Sequence, residues 1–268
     1  MAPILRNKHP ASPSVFAPTA LLREARRQKG LALAEVPSIC ILDPDGDIVR
    51  RLRSAGEAHP FENWPCYHTN LDTFMLGFHR VGIVGCAVGA PFAVLVAEEL
   101  FASGCRLLLS LTSAGQISAT GTPPYFVIID RALRDEGTSY HYAEPADYAE
   151  AAPELLSLAR EAVSKNDLQV MVGATWTTDA PFRETAEAIA AAKSNGILAV
   201  EMEAAALYSF ARASKLSVLC LAHVTNTMGQ VLQDFEKGAH DGAADALTLL
   251  GAIASLAHRR LLSTATAV

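Results

Sequence analysis

Short aliphatic runs alternate with helical segments along most of this chain, and that alternation limits its fold more than any other feature. Strands are expected at Pro37–Leu42, Val81–Val88, Cys105–Leu111, Tyr125–Asp130, Leu168–Ala174, Ile197–Val200 and Ser217–Thr225. Between and around them, helices are expected at Thr19–Gly30, Ile48–Arg53, Pro91–Ser103, Pro153–Val163, Ala180–Lys193, Met202–Ala213 and Gly238–Leu262. The run Cys105–Leu111 is apolar on nearly every residue, as a parallel strand covered on both faces must be. The pattern predicts one three-layer α/β domain, a central twisted mixed sheet flanked by helices. Residues 1–34 read as an N-terminal extension with one cationic helix, and residues 35–268 as the domain proper.

Composition narrows the function. Of 268 residues, 50% are hydrophobic and 19% charged, enough to bury a large core and too few charges for a disordered chain. A net charge of −6 with no basic cluster argues against nucleic acid as a partner and for a small ligand. Five cysteines at wide spacings, with no C-x-x-C pair, signal neither zinc nor a redox dithiol and read as thiols in a reducing, cytoplasmic setting. The N-terminus lacks the apolar core of a signal peptide, and no apolar run approaches ~20 residues, so no membrane span is expected.

Ligands of such sheets sit at the carboxyl ends of strands. That directs attention to loops 43–50, 86–91, 110–116, 174–183, 200–203 and 224–229. The first contains Asp43-Pro44-Asp45-Gly46-Asp47, which looks like the Asp-x-Asp of a haloacid-dehalogenase-type phosphatase. No Asp-Asp pair follows downstream to complete a Mg²⁺ site, so the segment reads as an acidic turn bent by its Pro and Gly. Gly82, Gly85 and Gly89 do not have dinucleotide-site spacing and read as close packing. His68, His141 and His223 lie near strand ends without a partner at metal spacing.

Four ordered segments together resemble the uridine phosphorylase/purine nucleoside phosphorylase family. They are Ala87-Val88-Gly89-Ala90-Pro91 with Glu98-Glu99-Leu100; Thr112-Ser113-Ala114-Gly115; Arg134-Asp135-Glu136-Gly137-Thr138-Ser139-Tyr140-His141-Tyr142; and Thr177-Thr178-Asp179-Ala180-Pro181-Phe182 with Val200-Glu201-Met202-Glu203-Ala204-Ala205-Ala206-Leu207. The resemblance spans residues 35–228 and implies a nucleoside phosphorylase-like catalytic domain. It implies phosphorolysis of a uridine- or purine-type nucleoside to free base and pentose 1-phosphate. No organic cofactor or metal is needed, and inorganic phosphate is co-substrate. A homo-oligomer, dimer-based or hexameric, is also implied.

The same resemblance assigns roles. Glu203, with Glu201, Met202 and Ser113, falls on the ribose site; Ser113 falls on phosphate, joined by Arg50 in one register of loop 43–50 and by Val49 or Ile48 in a register one or two residues away; Phe182 and Asn226 fall on the base, with Glu203 and Asn226 as the catalytic pair. A carboxylate on the ribose hydroxyls suits the positive charge that builds on the sugar as the glycosidic bond breaks. By position alone, Glu203 reads better as a solvent-facing residue of a first helical turn. Met202 reads equally as core filler, and Asn226 as a loop cap.

The departures from the family pattern concern charge. Ser110 stands where the family has its second phosphate arginine, and no arginine lies near Tyr67-His68, where a neighbour-donated one belongs. Arg80, Arg106 and Arg134 are the candidates to fill that gap. If they do not, water replaces phosphate and the enzyme is a nucleosidase. A non-catalytic nucleoside-binding relative is the third expectation.

Overall fold

A computed structural model of the chain describes residues 3–164, 167–228 and 234–262. Residues 1–2, 165–166, 229–233 and 263–268 lie outside it, and with them the outer ends of the 1–34 and 35–268 divisions and residue 229 of the 224–229 loop. In chain order the elements are α1 (Pro18–Lys29), β1 (Ile39–Asp43), α2 (Asp47–Ser54), β2 (His59–Pro60), β3 (Asp72–Leu76), β4 (His79–Gly85), α3 (Ala90–Ala102), β5 (Leu107–Gln116), β6 (Tyr125–Asp135), β7 (Tyr148–Glu150), α4 (Pro153–Val163), β8 (Val170–Thr178), α5 (Ala186–Ser194), β9 (Ala199–Glu201), α6 (Ala204–Ser214), β10 (Ser217–Asn226) and α7 (Ala243–Ala257). Proline opens α1, α3 and α4, where its missing N–H is not needed.

The strands join one mixed sheet. β1 lies between β4 and β5 and is parallel to both, and every residue of β1 is buried. β5 also pairs with β10, β10 with β6, β6 with β8, β8 with β9, and β9 returns to β5. These five strands therefore close a ring, and β1, β4, β3 and β2 extend from it as an open wing. One core lies between the sheet and α3 and α6, with Val94, Leu100, Leu207 and Phe210. The other lies under α2, α4 and α7, with Leu52, Leu158, Leu249 and Ile253. This is the expected three-layer arrangement.

Ring closure explains why β5 and β6 run past their expected ends. β5 runs to Gln116 and carries Thr112–Gly115 within the strand, because Val224 and Asn226 of β10 and Val200 of β9 supply its partners. β6 likewise runs to Asp135, paired with β7 on one side and β8 on the other. Helix α5 starts at Ala186 and not Ala180, since Thr185 caps it by accepting the Ala188 amide. Helix α7 starts at Ala243, after left-handed residues His240 and Asp241. β3 was not expected; it forms a hairpin with β4 through Gly77 at φ 61.

Candidate active site

The carboxyl ends of β1, β5, β9 and β10 converge on the segment carrying Glu201-Met202-Glu203. Glu201 ends β9 and is buried. Its Oε1 accepts hydrogen bonds from the hydroxyls of Thr175 (3.1 Å) and Thr177 (2.5 Å). Its Oε2 accepts the amides of Glu203 and Ala204, each at 2.7 Å. Glu201 thus anchors the N-terminus of α6, where the helix dipole favours an anion. With four donors on two oxygens it is a scaffold for Glu203.

Glu203 is 1% exposed, so the solvent-facing reading fails. Its Oε1 accepts the Gly89 amide at 2.7 Å, and its Oε2 faces the Met202 amide at 3.3 Å. Gly89 reaches that position at φ 92, a conformation that disfavours any side chain, so the Gly-rich turn after β4 serves to aim one N–H at this carboxylate. Burial, followed by the charge of Glu201, pushes the Glu203 pKa up to about 8; the Gly89 amide and the Thr112 hydroxyl oppose the shift. Each oxygen keeps a lone pair for a hydroxyl donor.

Ser113 sits on β5 and its donors are occupied from within the chain. Its amide and its hydroxyl both donate to Asp45, at 2.7 and 2.8 Å. Arg50 donates to the Asp45 carbonyl at 2.9 Å, but its guanidinium also pairs with Asp47, which holds Lys237 as well. Arg50, the residue expected at phosphate, thus has Asp47 as its partner anion. Beneath the turn, burial lifts the Asp43 pKa to about 7. His223 is stacked on Phe126 at 4.6 Å and held neutral, its pKa pushed down to about 4 by burial.

The three candidate arginines do not fill the gap. Arg80 reaches Thr73 and lies over the Phe61 ring. Arg134 is buried, donating to Ser139 and to the carbonyl of Glu144. Arg106 precedes β5 at the end of the sheet opposite Ser113.

On the base side, Asn226 is 8% exposed and has both ends of its amide engaged. Its Oδ1 accepts the Met228 amide at 2.9 Å and its Nδ2 donates to Thr225 at 3.1 Å, the loop-cap arrangement. Phe182 is 99% exposed in a short turn after β8, and the structure does not bring it to the other site residues. Asp179 holds that loop through the Gly137 amide at 2.9 Å. Asp45 and Met228 are the residues that the sequence reading did not place here. The Asp43–Asp47 turn marks Asp45 as chemically unusual, whereas Met228 is marked only by its place in the strand-end loop 224–229 and by no motif. Among the described residues, no group of three or more His, Cys, Asp or Glu is arranged to hold a metal ion, and no helix is long and apolar enough to cross a membrane.

Comparison with known proteins identifies the family. The chain is 30% identical to a DeoD-type purine nucleoside phosphorylase of Brevibacillus brevis over 160 residues, covering 57% of this chain and 68% of that protein. It is also 30% identical to a guanosine phosphorylase of Halorubrum lacusprofundi over 159 residues, 59% of this chain and 64% of that one. The fold superposes on uridine phosphorylase from Vibrio fischeri with a TM-score of 0.69 at 21% identity, covering 86% of this chain and 97% of that structure. The family model described as the phosphorylase superfamily matches residues 38–255, and the chain belongs to that superfamily.

Proposed function

We propose that the protein breaks the N-glycosidic bond of a nucleoside, and that water is the attacking group. The observation that carries the choice of nucleophile is the Asp45 carboxylate on the amide and hydroxyl of Ser113. A phosphate dianion arriving there meets a fixed carboxylate, with both local cations already on Asp47. A water molecule carries no such penalty, and a carboxylate beside it is the ordinary general base for hydrolysis.

The roles follow along β5. Ser113 and Gly115 project on one face, about 6.6 Å apart at a strand rise of ~3.3 Å per residue. Water attacks the anomeric carbon from the Ser113 side, giving its proton to Asp45. Glu203 accepts the ribose hydroxyls and balances the positive charge of the opening sugar. The carbon–nitrogen bond breaks with its electron pair on the base, which leaves toward Gly115 and takes a proton from solvent. The products are free pentose and free base.

Phosphorolysis is the second reading, supported by the names of the curated relatives and by Arg50 at the Asp45 carbonyl. It needs Asp45 to leave Ser113. Base release from a panel of nucleosides, with and without inorganic phosphate, separates the readings. Full-rate release without phosphate, giving free pentose, supports hydrolysis. Release that depends on phosphate and yields pentose 1-phosphate replaces it with phosphorolysis, and no release from any nucleoside removes both. We also propose a homo-oligomer, since Val15 and Phe16 are exposed apolar side chains on the extension; a monomer in sedimentation equilibrium contradicts that.

A further inference from the structure

We infer that Met228 is the residue that selects the leaving base, by size, and that it restricts the site to one-ring bases. The inference rests on the glycosidic reading above, which places the base at Gly115. A bulge in the β5–β10 pairing skips Thr225 and brings Asn226 opposite Gly115, while Val200 of β9 pairs with Gly115 from the other side. Met228 closes the third side. A Cβ added to Gly115 would lie 2.2 Å from the Met228 Sδ, with the Asn226 Oδ1 at 3.3 Å and the Val200 Cγ1 at 3.4 Å. The thioether therefore rests directly on the Gly115 backbone, in the space that a base leaving from this strand must enter.

Met228 is held there. Its backbone is left-handed, at φ 70, and its amide donates to Asn226 Oδ1 at 2.9 Å. Its side chain packs against the cluster of Ile117, Trp176 and Val200. An unbranched thioether gives way to a flat ring more readily than a branched aliphatic chain, and sulfur contacts aromatic rings favourably. A second fused ring asks the thioether to move further than a single ring does.

The usual alternative, reading the base edge by hydrogen bonds, is poorly served. The Asn226 amide holds Met228 and Thr225, and the neighbouring Gln116 amide holds the Gly121 carbonyl (2.7 Å) and the Tyr125 hydroxyl (3.1 Å). The Asn226 amide and the donor end of the Gln116 amide are committed to the chain around the site, which leaves shape as the main selective force.

The test measures binding of the free bases uracil and hypoxanthine by calorimetry in the wild type, Met228→Ala and Met228→Leu. Base release from uridine and inosine is measured on the same three proteins. The wild type is expected to bind uracil at least tenfold more tightly than hypoxanthine. Met228→Ala is expected to raise hypoxanthine affinity at least tenfold relative to uracil, and Met228→Leu to keep the wild-type order. Equal affinities in the wild type, or a ratio moved less than twofold by Met228→Ala, overturns the inference. The predicted binding order without base release from any nucleoside supports the inference about Met228 and removes the catalytic reading alone.

Discussion

Replacing Asp45 by Ala tests the central contact of the site, and its effect is calculable. The carboxylate accepts two hydrogen bonds from Ser113, at 2.7 and 2.8 Å. Bonds to a charged group contribute about 1.5–3 kcal/mol each. Asp45 is half-buried, so the lower end applies, about 3 kcal/mol for the pair. Inorganic phosphate must displace that interaction to reach Ser113. At 1.4 kcal/mol per decade, its affinity in the wild type is weakened roughly a hundredfold. Asp45→Ala removes the competitor and a negative charge together. Phosphate is therefore expected to bind the variant at least a hundredfold more tightly, read by calorimetric titration or by its shift of the thermal midpoint. Hydrolysis should move the opposite way, since loss of a general base costs about 10²–10⁴ in rate. Base release in phosphate-free buffer should fall by at least two orders of magnitude. A wild type that saturates with phosphate below millimolar concentration, or a variant with unchanged phosphate-free turnover, would refute the reasoning.

Glu203→Gln keeps the shape of the ribose carboxyl and removes its charge; it should lose about 2–4 kcal/mol of transition-state stabilisation, or roughly 10²–10³ in kcat/KM, with the fold retained by circular dichroism. Because the empty site holds the Glu203 pKa near 8 and the reaction needs the anion, kcat/KM should rise with pH up to about 8 and then level, a limb that Glu203→Gln abolishes. Stability runs the other way: Glu203 (about 8) and Asp43 (about 7) are raised above their unfolded values, so their contribution is complete below pH ~4 and is lost as pH climbs through 7 to 8. The thermal midpoint should fall over that interval, less steeply in Glu203→Gln. Arg50→Ala breaks an exposed pair with Asp47, which contributes under about 1 kcal/mol, and should change phosphate-free turnover less than threefold. Phe182→Ala should leave KM within twofold, because the ring stands in solvent.

The sheet was legible where local pattern decides it. Pro153–Val163 has the same bounds in sequence and structure, because a proline at its first position and a buried stripe of Leu155, Leu158, Ala159 and Ala162 both act within the helix. β1, β5 and β10 announced themselves as aliphatic runs because both of their faces are covered. The failures share one cause. Thr112–Gly115 is a small, hydroxyl-rich stretch that reads as a turn, and it is a strand only because β9 and β10 bring partners from 80 or more residues away. β7 and β3 are strands for the same reason, set by pairing across the sheet and not by their own composition.

The site divided along a similar line. The placement of Glu201, Met202 and Glu203 was legible because a short run of chain at a strand-to-helix junction sets it, and there spacing fixes geometry. The anion-holding half was not, because its outcome is a competition between distant groups. Ser113 offers two donors, and whichever anion is tethered closest takes them. Asp45 is delivered by the turn between β1 and α2, which Gly46 at φ 76 bends back toward β5. In the sequence that turn shows only three aspartates around a Pro and a Gly, and the loss of an arginine at Ser110 shows only a missing charge. Together they amount to a reversal of sign: a position suited to cations that gather an anion instead presents a carboxylate of the protein itself. An extra acid and a missing base on one small site reinforce each other electrostatically, and both act against a dianion while leaving a neutral nucleophile unaffected. Restoring the cation alone, Ser110→Arg, should therefore not restore phosphate use, because Asp45 would still hold the amide and hydroxyl of Ser113. Only Ser110→Arg combined with Asp45→Ala should convert water-dependent base release into phosphate-dependent release, with pentose 1-phosphate as its product. Phosphorolysis gained by the single Ser110→Arg variant would show that Asp45 is not the barrier.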